Sequence, residues 1–166
     1  MPINEPANYL DQLIRQTRAH HVTLSTMADQ KANMLLTMSS VVLTLSLPQL
    51  NNPGLRHAVM ALMAACLLTL ILACYVVMPK LLFGKDKRPI ADRNLLFFAD
   101  FEDMSFEQYR QEMATLLNNP ASAYDLQLQE IYRMGQYLAW KKYRFLRWAY
   151  VTFLAGFVIA GVLLFF

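Results

Sequence analysis

Apolar residues crowd into three stretches of the chain, and polar residues fill the intervals between them. Ala58 to Val77 (AVMALMAACLLTLILACYVV) runs for 20 residues without a charge, and Trp148 to Phe166 (WAYVTFLAGFVIAGVLLFF) for 19. At about 1.5 Å per helical residue, each is long enough to cross a bilayer core of about 30 Å. The third stretch, Ala32 to Leu47 (ANMLLTMSSVVLTLSL), has 16 residues and five hydroxyl side chains, so its length alone fits a span, a buried helix or an interfacial one.

Charge separates these alternatives. If all three stretches span, 14 of the 15 Lys and Arg residues lie on one side of the membrane, with Arg56 the exception, and all 12 Asp and Glu residues lie there too. That is the asymmetry of the positive-inside rule, and it puts the N-terminus and the long middle region in the cytoplasm. The 56% hydrophobic content agrees with a chain that meets lipid. The prediction is an all-α integral membrane protein with three transmembrane helices. They cover about 32–48, 57–78 and 148–166, and long helical cytoplasmic extensions, about 1–31 and 79–147, form a bundle in one unit over 1–166. Met1 to Gln30 lacks the short apolar core of a secretory signal. Cys66 and Cys74 fall in the second span, eight residues and so about 12 Å apart on a helix, too far for a disulfide; they read as small apolar residues.

Asn4, Glu5 and Pro6 make a helix entry, and no Pro or Gly follows until Pro48, so one helix of about 60 Å is expected. LPQLNNPG, Leu47 to Gly54, reads as a tight turn, while Pro79 and the basic GKDKRP stretch at Gly84 to Pro89 end the second span at the membrane surface. NLLFFADF, Asn94 to Phe101, should dock on protein or on the lipid interface. Ser105 and Gln108 form a capping-box pattern for a helix to Leu117, stopped by Asn118, Asn119 and Pro120, and Ser122 offers the N-cap of the last helix. In that helix Leu128, Ile131, Gly135, Leu138 and Phe145 form a stripe that Ala149, Thr152 and Gly156 continue into the third span, so the two long helices are expected to pair.

Gln30, Asn33, Thr37, Ser40 and Thr44 share one face of the first helix at three- and four-residue steps. A packing seam between helices and a water-lined path in an oligomer both fit this polar stripe. Asp29 and Lys31 point about 200° apart and cannot pair with each other. Lys141, Lys142, Arg144 and Arg147 lie at the matching edge of the third span, where a cation could pair with Asp29. The cluster fits two roles, a snorkelling anchor to anionic lipid or a phosphate-binding rim with stacking on Tyr132, Tyr137, Trp140 or Tyr143. Gly156 and Ala160 offer a small-residue contact surface, so self-association is expected. His20 and His21 diverge by about 100° on a helix and lack further ligands, so no metal is expected, and Asp100, Glu102 and Asp103 read as a solvated turn. No phosphate loop, nucleophile elbow or redox motif occurs, which leaves no catalytic group, cofactor or nucleic-acid partner to predict.

ADQKA at Ala28 to Ala32 resembles the Asp-x-Lys-Ala signature of the transmembrane effector family of bacterial Pycsar anti-phage systems. NLLFF at Asn94 to Phe98, FEQYRQEMATLL at Phe106 to Leu117, the run from Tyr124 to Tyr150 and the terminal span resemble that family in order and spacing, over nearly the whole chain. The resemblance implies an effector that answers a cyclic pyrimidine mononucleotide, made by a partner nucleotide cyclase, by oligomerising and impairing the inner membrane in abortive infection. Under that reading Asp29, Lys31, Asn33, Lys141, Lys142 and Arg144 become ligand or switch candidates, and Gly135, Gly156 and Ala160 packing positions. The alternative is a non-toxic scaffold or accessory subunit that recruits a cytoplasmic partner.

Overall fold

The computed structural model describes residues 8–78 and 93–165, and among these every regular element is helical. The helix entry expected at Asn4 to Pro6 and the membrane exit expected at Pro79 and Gly84 to Pro89 lie outside the described residues. Helix α1 covers Asn8–Ser46, a 3₁₀ turn Leu47–Asn51 and α2 Arg56–Val77. After them come α3 at Phe98–Phe101, α4 at Phe106–Leu117 and α5 at Pro120–Tyr137. A π-helical segment, Leu138–Tyr143, then leads into α6, Arg144–Phe165. Three helical stretches, Tyr9–Asn51, Arg56–Val77 and Pro120–Phe165, are long and apolar enough to cross a membrane.

The chain divides into two compact units. The first, here the spanning unit, comprises Val22–Met78 and Gln136–Phe166. Its core is made of Ala28, Ala32 and Leu35 on α1, Cys66, Ala73 and Val76 on α2, and Leu146, Ala149 and Phe153 on α6. Small side chains allow close helix approach where the bilayer supplies no hydrophobic drive for association. Gly156 is the extreme case: a Cβ there would collide with the Cβ of Ala65 on α2. The small surface expected to join two copies is therefore engaged within one chain at Gly156, and Ala160 is buried as well. The α1 to α2 turn is pinned by Asn52, whose Oδ1 accepts from the Gly54 N–H at 3.1 Å.

Around α1 the spanning unit shows three separate faces. Ala28, Ala32, Leu35, Ser39 and Ser46 are buried, whereas Met34, Met38, Val41 and Leu45 are exposed apolar residues. Gln30, Asn33, Thr37, Ser40 and Thr44 are all exposed. At about 100° per residue, the centre of this polar stripe lies about 150° from the buried face and about 90° from the exposed apolar one. The stripe therefore packs against neither neighbouring helix, and the seam within the chain runs along the alanines instead.

The second, polar unit comprises Met1–His21 and Pro79–Gly135. Here α4 begins with the expected capping box: Ser105 Oγ accepts from the Gln108 N–H at 3.3 Å, and Gln108 Oε1 accepts from the Ser105 N–H at 3.2 Å. Helix α5 starts earlier than expected. Asn119 is the cap, its Oδ1 accepting from the Ser122 N–H at 3.4 Å, and Pro120 takes the first helical position, where its missing N–H costs nothing. Ser122 is thus a capped residue and not the cap.

The acidic turn is also less solvated than expected. Asp100 is buried and accepts from the Asn94 N–H at 2.9 Å, while Asp103 pairs with Arg93 at 2.5 Å. These contacts tuck in Asn94 and Leu95 but leave Phe97 and Phe98 exposed, so only the first half of NLLFF is docked. Across the unit, Tyr124 donates to Asp11 Oδ1 at 2.6 Å, Arg18 pairs with Glu130 at 3.1 Å, and His21 packs against Gly135.

Candidate functional site

Within the spanning unit the polar residues converge on Lys142. Its ammonium donates to both carboxylate oxygens of Asp29, at 2.6 and 2.7 Å, and to Ser25 Oγ at 2.8 Å. An ammonium has three protons, so this lysine is saturated. The Lys142 side chain is 9% exposed and that of Asp29 37%, so the cation is the more deeply desolvated partner. The next residue after Lys142, Tyr143, donates to the Leu24 carbonyl at 3.1 Å. Burial pushes the Tyr137 phenol above its ordinary value, and the charge of Asp29 adds to that shift.

Lys142 follows the buried Leu138 by four residues and so shares its helix face, and the backbone there changes which residues come next. An α-helix continued at constant pitch from Leu138 would keep Phe145 on the buried stripe, as expected from the sequence. The wide turn at Leu138–Tyr143 rephases the helix, so the buried series runs Leu138, Lys142, Leu146, Ala149, Phe153. Phe145 is only half-buried and stacks on Tyr75 with ring centroids 4.3 Å apart. π-Helical turns inside α-helices are frequent at functional sites because they reposition side chains in this way.

The structure therefore brings together two of the six switch candidates, Asp29 and Lys142. Lys31 and Asn33 are exposed on α1, and Lys141 and Arg144 are exposed beside Lys142. Arg144 lies over the Trp140 ring at 5.7 Å, at the edge of an open groove of about 850 Å³ lined by Ala139, Trp140, Tyr143, Arg144, Arg147, Trp148 and Val151. Along the stripe, Thr37, Ser40 and Thr44 each donate to the carbonyl four residues back, at 3.1, 2.8 and 2.9 Å, which satisfies their protons on their own helix. Among the described residues no group of three His, Cys, Asp or Glu side chains could hold a metal ion.

Sequence reasoning missed Ser25 as the third ligand of the ammonium, since one serine in a helix carries no signal of its own. It also missed a cavity of about 250 Å³ in the polar unit, lined among others by Arg93, Glu112, Thr115, Asn119 and Ser122. Its walls come from α4, α5 and the segment before α3, and no local pattern announces that they meet.

Neither curated proteins nor solved structures gave a match to the chain. The family model for the Pycsar effector protein domain (PycTM) matches residues 12–166, which include both partners of the buried ion pair and all three spans, and the chain belongs to that family of membrane effectors in anti-phage defence.

Proposed function

We propose that the protein resides in the bacterial inner membrane with its N-terminus in the cytoplasm, and that it answers a cyclic pyrimidine mononucleotide made by a partner cyclase. The response is self-association that impairs the membrane and halts the infected cell. The observation that carries this reading is the polar stripe of α1. Gln30, Asn33, Thr37, Ser40 and Thr44 are exposed on the side of the helix turned away from the protomer's own core. Hydroxyls that back-bond to their own helix tolerate lipid, but the amides of Gln30 and Asn33 at the mouth of the span gain from water or from another polar surface. Copies that associate with their stripes turned inward give those groups a wet interior while Met34, Met38, Val41 and Leu45 remain toward lipid. Within each protomer the Asp29–Lys142 pair is the coupling element, and Lys141, exposed beside the saturated Lys142, is the cation that a nucleotide phosphate would meet.

The test follows dye-reported membrane potential and cross-linked oligomers in cells supplied with a cyclic pyrimidine nucleotide. Wild type is compared with a stripe variant carrying Asn33→Leu, Thr37→Val, Ser40→Ala and Thr44→Val. The expected result is depolarisation with higher oligomers in wild type and neither in the variant at equal abundance. Unchanged depolarisation in the variant, or a wild-type monomer throughout, defeats the reading. A reporter fused at Asp103 should read cytoplasmic. Exposed Phe97, Phe98 and Phe106 in the polar unit favour the second reading, a scaffold that holds a cytoplasmic partner without membrane damage. A stable complex formed through these three rings, in cells whose membranes stay intact, would support it.

A further inference from the structure

The groove beside Lys142 has a chemistry that the ion pair does not use. Lys142 is saturated, yet among the described residues neither Arg144 nor Arg147, one turn apart on α6, forms an ion pair with a carboxylate. Both guanidinium groups are exposed at the start of the apolar part of α6, flanked by Trp140 and Trp148, which are 61% and 54% exposed. Indole rings of this kind settle at the level of lipid headgroups. Further along α6, Val151, Leu154, Val158 and Val162 are exposed and continue the same helix face at three- and four-residue steps. Paired arginines, a stacking ring and an apolar track below them therefore follow one another along a single face of a single helix.

We propose that this face binds one anionic phospholipid in the leaflet at the charged end of the spans. Arg144 and Arg147 hold its phosphate, Trp140 and Trp148 bracket the headgroup, and one acyl chain lies along Val151, Leu154 and Val158. Guanidinium is the cation suited to this role because its planar fork can donate two parallel hydrogen bonds to a phosphate. A zwitterionic headgroup offers the same phosphate together with a competing ammonium, so the groove selects for net negative charge. Each basic residue near a membrane surface favours anionic lipid enough that two together give roughly thirtyfold local enrichment. The site does not depend on nucleotide sensing.

The chain has 2 tryptophans, and both line this groove, so their fluorescence reports on it alone. The full chain is reconstituted in phosphatidylcholine vesicles containing a minor fraction of either brominated phosphatidylglycerol or brominated phosphatidylcholine. The expected result is markedly stronger quenching by the brominated anionic lipid at the same mole fraction. Arg144→Gln with Arg147→Gln should abolish the difference, and the double Lys variant should retain part of it. Equal quenching by the two lipids in the wild-type protein overturns the proposal, and that comparison stands even if the double Gln variant does not insert. Recovery of emission on adding a cyclic pyrimidine mononucleotide, but not inorganic phosphate, would also overturn it by assigning the groove to the free nucleotide.

Discussion

The spanning unit and the polar unit solve the same problem, holding helices together, with opposite materials. In the spanning unit the close contacts come from Ala28, Ala32, Ala73, Ala149 and Gly156, side chains of almost no size, with one saturated ion pair set among them. Among the described residues of the polar unit few side chains are fully buried, and the ties are directional: Tyr124 to Asp11, Arg93 to Asp103, Asp100 to the Asn94 backbone. The contrast follows from solvent. Lipid is as apolar as leucine, so van der Waals fit decides packing in the membrane. In water, small cores are supplemented by hydrogen bonds whose geometry fixes the fold. An ion pair in the first setting is therefore a different object from one in the second. Asp29–Lys142 is mostly desolvated, whereas Arg18–Glu130, with the arginine 51% exposed, competes with water at every moment.

The largest effect expected from this contrast is at the Asp29–Lys142 pair. Breaking one side of a buried pair costs about 3–5 kcal/mol, reduced here to about 2–4 because Asp29 retains some water. Asp29→Ala should destabilise more than Lys142→Ala, since it strands the more deeply buried charge, and the double variant should recover about 1–3 kcal/mol of the summed losses. Arg18→Ala should cost about 0–1 kcal/mol. Thermal unfolding in mild detergent measures all four, and a cost at Arg18 equal to that at Asp29 would erase the distinction between the units. On the proposed mechanism the shape-preserving pair Asp29→Asn with Lys142→Met should insert normally yet leave the membrane intact when nucleotide is supplied. Depolarisation by this variant at the wild-type level would remove the pair from the switch.

Next in size is the contact at Gly156. A single methyl there meets Ala65 at less than van der Waals separation, so Gly156→Ala should cost about 1–3 kcal/mol of overpacking. Ala65→Gly in the same chain frees the space and should restore most of the loss. Failure of that rescue would mean that the α2 to α6 contact is looser than the geometry indicates. Gly161 sharpens the comparison, because a Cβ there meets nothing within 4 Å and substitution by Ala should be nearly silent.

How much of this was legible beforehand depends on the kind of physics each feature uses. Spans, the turn at Leu47–Asn51 and the cap at Ser105 rest on length, composition and local hydrogen bonding, all written in neighbouring residues. The meeting of Asp29 with a cation at the edge of the third span was legible as a need, because a carboxylate at that depth requires a partner. That Leu146 and not Phe145 follows Lys142 on the buried face was not, since it depends on the π-turn at Leu138–Tyr143, and LAWKKY has no sequence feature that distinguishes a wide turn from a regular one. The polar stripe was visible as a face, yet the direction of that face followed only once the alanines of α1 were seen to occupy the core. Asp100 and Asp103 looked like surface charge because their partners, the Asn94 backbone and Arg93, are supplied by folding back of the chain and by no periodicity.

The smallest expected effect belongs to the polar unit and to Tyr124. Its hydrogen bond to the Asp11 carboxylate raises the phenol above its ordinary value of 10.0, with burial and the carboxylate's charge acting in the same sense. A raised value means that the fold favours the protonated phenol. The contribution is therefore complete below pH 10.0 and is lost as pH rises through the higher folded value. At neutral pH the contact should show no pH dependence at all. In an alkaline titration followed by tyrosinate absorbance, Tyr124 should ionise after the exposed tyrosines, and Tyr124→Phe should remove one late-titrating group while leaving the early ones in place. Asp11→Asn should bring the same group back toward the ordinary value without deleting it. A titration unchanged by Asp11→Asn would show that burial alone raises the phenol, and the directional tie that sets the polar unit apart from the alanine-packed spans would then be absent at this position.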